Sequence, residues 1–178
     1  MRGAPRPLPS SGRMGEDSAA PSRMQLEKEK IERFFDEYAA RFNHALADPP
    51  AMDVEGTAAA FADCFVAVNP QGVACGKNDS SFRAAIPQGW EFYRRMGMIS
   101  MKITSIHVIS LDEIHAMVNV GWDSRYRREG GREEQIEFVV IYLVQILDGT
   151  PKIFAYITGD EEKALKEKGL IPAEWRRP

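Results

Sequence analysis

The sequence predicts an α+β domain in which N-terminal helices pack on a curved, mostly antiparallel sheet, and three observations carry that prediction. Apolar residues recur at three- and four-residue spacing as far as about Gly97. From there to Thr158 they recur at every second position or more densely. With 178 residues, 44% of them hydrophobic and 28% charged, the chain has an ordinary globular composition and length enough for one core. A single domain over 25–178 is therefore expected.

Residues 1–24 scatter Pro5, Pro7, Pro9 and Pro21 among Ser, Gly and Arg without apolar period, so a disordered tail is expected there. Met14 and Met24 are alternative translation starts, and Glu16 and Asp17 argue against a transit peptide. From Gln25 to about Ala47, Leu26, Ile31, Phe34, Phe35, Tyr38, Phe42, Ala45 and Leu46 form the stripe of an amphipathic helix. Asp48-Pro49-Pro50 ends it, because a residue before proline avoids helical backbone. Asp53 then caps a second helix to about Asp63, with Ala58, Phe61, Ala62 and Phe65 inward. A strand, Phe65 to Asn69, turns through Asn69-Pro70-Gln71-Gly72 and returns as Val73 to Cys75. Asn78 or Asp79 caps a third helix carrying Phe82, Ile86, Trp90, Phe92 and Tyr93. Pro87 is expected to bend or break that helix, and Gly97 to end it.

The period of two then marks strands Met98–Ser110, Ile114–Tyr126, Arg132–Leu147 and Lys152–Thr158, an antiparallel meander, before a last helix Asp160–Lys168 stopped by Gly169. Helices can cover only one sheet face. Phe138 to Val144 is nevertheless apolar on both faces, and Ile153 to Ile157 repeats the pattern. The outer face is therefore expected to be covered by a second copy, giving a homodimer, or alternatively by the C-terminal segment with Leu170, Ile171 and Trp175.

Several classes are excluded or disfavoured. A net charge of -3 gives no global attraction to nucleic acid or anionic membranes. The run Arg125-Tyr126-Arg127-Arg128 with Arg132 is neutralised locally by Glu129, Glu133 and Glu134, so it reads as a solvated hairpin tip. Cys64 and Cys75 lack the spacing of a zinc site or disulfide framework and are expected to be buried. No GxGxxG, P-loop, HExxH or GxSxG occurs. No cofactor or metal is expected. The longest apolar run is far short of the roughly 20 residues of a membrane span, and no signal peptide is evident. A cytoplasmic protein is expected.

The order helix, helix, short hairpin, helix and long meander resembles the NTF2-like superfamily of cone-shaped, cystatin-like folds, SnoaL-like and ketosteroid-isomerase-like members among them. The resemblance covers about Gln25 to Thr158. Tyr38-Ala39-Ala40-Arg41-Phe42-Asn43, Phe61-Ala62-Asp63, Asn69-Pro70-Gln71-Gly72 and Glu91-Phe92-Tyr93 echo the isomerases. The resemblance implies that Tyr38 donates a hydrogen bond to a ligand oxygen. It also implies an aspartate base where this chain has Asn69, which cannot accept a proton at neutral pH. A second acid of the family falls at Tyr142 or Leu143.

Alternation puts Ala116, Val118, Val120 and Trp122 on one face, and Phe138, Val140, Tyr142, Val144 and Ile146 on one face of the next strand. Taken as inward, with Tyr38, Phe42, Phe61, Phe65, Phe82 and Trp90, they form either a small-molecule cavity or a filled aromatic core. The ligand-binding candidates are Tyr38, Phe42, Phe61, Phe65, Asn69, Trp90, Val118, Val120, Trp122 and Tyr142. Tyr38 meets a ligand, a backbone carbonyl or Asn69. The catalytic candidates are Tyr38 as donor with His107 or Asp123 as base. His107 reads equally as a structural histidine, and His44 and His115 as outward ones. Asp160 is a further spare carboxylate or, more simply, a helix cap. Three functions remain open at this point: a pocket binding a small hydrophobic molecule, a cofactor-independent isomerase, cyclase or dehydratase, and an interaction module with a filled core.

Overall fold

A computed structural model of the chain describes residues 23–128, 130–172 and 174, with side chains from residue 27 onward. Residues 1–22 of the expected tail, the side chain of the stripe residue Leu26, Glu129 at the hairpin and Trp175 lie outside what is described, whereas residues 23 and 24, expected in the tail, open the first helix. The elements are α1 (Arg23–Leu46), α2 (Val54–Ala59), β1 (Phe61–Asn69), β2 (Gly72–Lys77), α3 (Ser80–Arg95), β3 (Met98–Ser110), β4 (His115–Arg127), β5 (Glu133–Leu147), β6 (Thr150–Ile157) and α4 (Glu161–Glu167). Six strands form one sheet in the order β2-β1-β6-β5-β4-β3. The predicted meander is present, and β1 joins it in parallel along β6, the one parallel pairing among the described residues.

The inward faces are those the alternation gives. Ile31 and Phe35 of α1 are buried against Val118, Val120, Val140, Val144 and Ile153. Complete burial of such side chains is worth roughly 1.5–3 kcal/mol each. Asn43 fixes where α1 sits: its Nδ2 donates to the Met101 carbonyl at 2.7 Å while its Oδ1 accepts from the Met101 amide at 2.9 Å. A helix side chain thus completes a strand's backbone pairing where β3 is irregular, between Met98 and Ser100 and again between Ile103 and Ser105. At the end of α3, Gly97 adopts φ 81° and its carbonyl accepts from the Arg127 amide at 2.7 Å. A Cβ there would meet the Arg127 carbonyl oxygen at 2.3 Å, so only glycine fits.

Several expectations are corrected. The second helix stops at Ala59 rather than near Asp63, and Phe61, Ala62 and Phe65 belong to β1. Phe61 pairs with Ile153 of β6, and Asn78 Nδ2 holds the Ala58 and Phe61 carbonyls at 2.7 and 3.0 Å, so long-range pairing overrides a spacing that also suits a helix. Asp79, not Asn78, caps α3. Pro87 does not break that helix, which is held on both sides by buried Ile86 and Trp90. Cys64 and Cys75 are exposed, because they fall on β1 and β2 at the edge of the sheet. Leu170 and Ile171 do not cover the outer face. They pack with Met98, Tyr126, Ile136 and Leu165 on the inner side. Tyr126 is accordingly 2% exposed rather than part of a solvated tip, whereas Arg127 and Arg132 there do pair with Glu133 and Glu134.

Candidate functional site

Between the concave sheet face and α1, α3 and α4 lies a cavity of about 380 Å³. At interior packing density it holds on the order of 15–20 non-hydrogen atoms. Tyr38 and Phe42 reach it from α1, Phe82, Ile86, Trp90 and Tyr93 from α3, Trp122, Ser124 and Tyr126 from β4, Phe138, Val140 and Tyr142 from β5, and Tyr156 from β6. Asp160 and Glu161, with Ala164 and Leu165 of α4, complete the wall. Close packing alone leaves few voids larger than a water molecule, far less than this volume.

The inner polar groups are neutral and are held so. Burial pushes the Tyr38 hydroxyl up to about 12, with the neighbouring Tyr156 adding to it and Arg41 opposing it. Burial likewise raises Tyr142 well above the ordinary phenol, and Tyr38 raises it further. The Trp122 indole N–H lies near enough to favour the Tyr142 phenolate, yet it closes no hydrogen bond of good geometry. Trp122 is 1% exposed and its Nε1 has no accessible surface, so the indole N–H is turned to the Tyr142 hydroxyl rather than to the open space of the cavity. Such a donor costs about 1–3 kcal/mol unless something accepts from it.

The other end is acidic and aromatic. Tyr93 donates to Glu161 Oε1 at 2.6 Å. Tyr126 is raised above the usual phenol range, chiefly by burial, with the Glu161 charge adding to the effect and a hydrogen bond with Ser124 opposing it. Ser124 itself donates to the Ile136 carbonyl at 3.0 Å. Asp160 caps α4 by accepting from the Lys163 amide at 3.0 Å, and it also accepts from Gln71 Nε2 at 3.3 Å.

Of the residues singled out from the sequence, Tyr38, Phe42, Phe61, Trp90, Trp122 and Tyr142 line the cavity. Phe65, Val118 and Val120 are buried in the core cluster but do not line the cavity. Asn69 is displaced from the site altogether. Its Oδ1 accepts from the Gln71 and Gly72 amides at 3.0 and 3.2 Å, closing the exposed β1–β2 turn. His107 is exposed and opposite Asn119, on the outer face. Asp123 also faces outward, opposite Lys102 and Glu137, with Arg125 at 3.3 Å. Neither proposed base faces the cavity. Tyr93, Tyr126, Tyr156 and Glu161 were not foreseen. Continuing the alternation of Trp122 through Ser124 reaches Tyr126, whereas a register shift between Ile153 and Ala155 breaks the alternation of β6, so Tyr156 is not reached by counting from Ile153. Nothing local marks Glu161.

The family described as NTF2-like protein (DUF6841) matches residues 27–161. No curated protein matches at a significant level. Among solved structures, an NTF2-like protein with a cystatin-like fold from Novosphingobium aromaticivorans superposes with TM-score 0.62 at 11% identity, over 84% of this chain and 91% of that one. A ketosteroid isomerase-like protein from Erwinia carotovora atroseptica gives 0.53 at 17% identity, over 75% and 95%. A putative scytalone dehydratase from the Novosphingobium species gives 0.54 at 19% identity, over 75% and 83%. At these identities the likeness is one of fold.

Proposed function

Since the chain belongs to the NTF2-like protein family DUF6841, we propose that it is a pocket protein which binds a small, largely apolar molecule through a hydrogen-bond-accepting group at the inner end of its cavity. The observation that carries this reading is a cavity of about 380 Å³ with a mostly apolar and aromatic wall, which Tyr38 and Tyr142, both kept neutral by burial, also line. A carbonyl or ether oxygen there would accept from the Tyr38 and Tyr142 hydroxyls. The remaining wall is mostly apolar and aromatic, which suits a hydrophobic body.

The same reading has the protein act as a homodimer through its outer sheet face. Val139 and Ile157, on the adjacent strands β5 and β6, are 56% and 43% exposed, and Ile109, on β3 of the same sheet, is 45% exposed; large apolar side chains shown to water on one sheet face gain from being covered. Native mass spectrometry of the protein purified from cells tests both parts. A dimer that releases a small organic molecule on denaturation supports them. A compact monomer sinks the dimer, and failure of every apolar carbonyl compound of matching size to bind sinks the pocket reading.

One observation favours a second reading, a cofactor-independent isomerase, cyclase or dehydratase: the Glu161 carboxylate lines the same cavity as Tyr38 and Tyr142. In that case a C–H proton at the ligand's far end, conjugated with its carbonyl, passes to Glu161 while the electron pair is delocalised onto the carbonyl oxygen, held by the phenols. Exchange of that proton with solvent deuterium, followed by NMR, distinguishes an enzyme from a binder.

A further inference from the structure

Outside the cavity, the end of α3 and the end of β4 meet around an open groove of about 570 Å³ whose lining is basic. Arg94 and Arg95 reach it from the last turn of α3, and Arg127 and Arg128 from the end of β4. Leu46, Met98 and Ile99 supply its apolar part. Met98, 5% exposed, also lines the central cavity and so stands between the two spaces. The carboxylates beside these arginines are too few to neutralise them. Glu91 lies 3.5 Å from Arg94 and 3.1 Å from Arg95, so one carboxylate serves two guanidiniums. Glu134 is shared in the same way, 3.5 Å from Arg128 and 3.0 Å from Arg132. Arg127 has Glu133 to itself at 3.0 Å. Two positive charges are therefore left over among the described residues. The C-terminal end of α3 offsets about half a unit of charge, less than the two arginines of its last turn bring. The side chains of Arg95 and Arg127 are 77% and 57% exposed, and ion pairs that open to water are weakly held, so a more highly charged anion can draw both guanidiniums to itself.

We propose that this groove binds a phosphate monoester, its charged head held by the arginines and its apolar body laid against Leu46 and Ile99. Such a group carries about −1.5 to −2 charge at neutral pH and three acceptor oxygens. That matches the charge left over and lets a guanidinium fork donate two parallel hydrogen bonds. A neutral amphiphile gains nothing from the arginines, and an amine is repelled by them. The site lies outside the cavity and stands whether or not the pocket reading above holds.

The test titrates 1-naphthyl phosphate into the full chain by calorimetry at low salt. Binding is expected to strengthen as pH rises through about 6, where the phosphate gives up its second proton. The double variant Arg95→Gln, Arg127→Gln is expected to bind at least tenfold more weakly, since charge-assisted hydrogen bonds are lost, while far-ultraviolet circular dichroism shows it folded. Lys102→Gln, which removes a positive charge from an exposed position on β3, is expected to leave the affinity unchanged and so separates this groove from general attraction by surface charge. Vesicles of phosphatidylcholine with phosphatidic acid distinguish the sources of the phosphate. Cosedimentation that the double variant loses assigns it to a lipid headgroup, and binding of naphthyl phosphate without cosedimentation assigns it to a free molecule. If neither probe binds, or if the double variant binds naphthyl phosphate as tightly as the wild type, the proposal is overturned.

Discussion

Replacing Trp122 by Phe tests what the buried indole N–H costs the empty protein, apart from any contact with a ligand. In the empty protein the Nε1 donor is buried without a partner, so removing it relieves about 1–3 kcal/mol. Shrinking the ring gives up roughly 40 Å² of apolar burial, about 1 kcal/mol. The lost volume opens onto a cavity that already exists, so no new void is sealed inside the core. The variant is therefore expected to match the wild type or exceed it by up to about 2 kcal/mol. Urea unfolding followed by far-ultraviolet circular dichroism measures the effect. A destabilisation above about 3 kcal/mol would refute the reasoning, since it would mean that the donor is satisfied within the protein.

Two further outcomes test other parts of the structure. Val139→Glu places a charge on the outer face at a position 56% exposed, and symmetry puts it into the interface twice; sedimentation at micromolar concentration is expected to show a folded monomer, and a persisting dimer would place the interface elsewhere. Alkaline titration reports the buried phenols: with Tyr38 pushed up to about 12 and Tyr126 and Tyr142 also raised, the folded state favours their protonated forms. The stability they contribute is fully present below the unfolded value near 10 and is lost as pH rises through the folded values. Of the chain's five tyrosines, these three are expected to give phenolate absorbance only together with loss of structure, and a simple titration near pH 10 for all five would contradict the buried cluster.

How far the site could be read from the sequence follows from which residues obey a local rule. Period two placed Trp122 and Tyr142 inward correctly, and the same rule already placed Asp123 outward, since it is the next residue along the same strand. Naming Asp123 as a base meant setting aside the alternation that identified the pocket. His107 is different. Irregularities on β3 before Ser100 and before Ser105 shift its register against β4, so its facing is not derivable by counting from either end. Phe61 satisfies both a helical stripe and a strand, and only the pairing with Ile153 decides between them. Asn69 was placed in the site by analogy with a catalytic aspartate. In this chain it spends both acceptor positions on its own turn, which is the ordinary use of Asn beside Pro and Gly.

Glu161 shows where local rules stop. It stands at the first turn of a seven-residue helix after the last strand, where an acid is expected for the sake of the helix dipole alone. Its place on the cavity wall comes from how α4 folds back: Leu165 is 1% exposed and Ile171 is 7% exposed, both packed with Met98, Tyr126 and Ile136. That burial draws the start of α4 over the open end of the sheet and brings Glu161 to Tyr93. The matched family region ends at residue 161, whereas Ala164 and Leu165, which also line the cavity, lie beyond it. The inner end of the pocket is thus built wholly from elements within the matched region, and its other end is completed by a short C-terminal element packed through Leu165 and Ile171. Differences in what such pockets accept should arise at this second end, where one side chain changes the charge a ligand meets without disturbing the sheet that holds the rest of it.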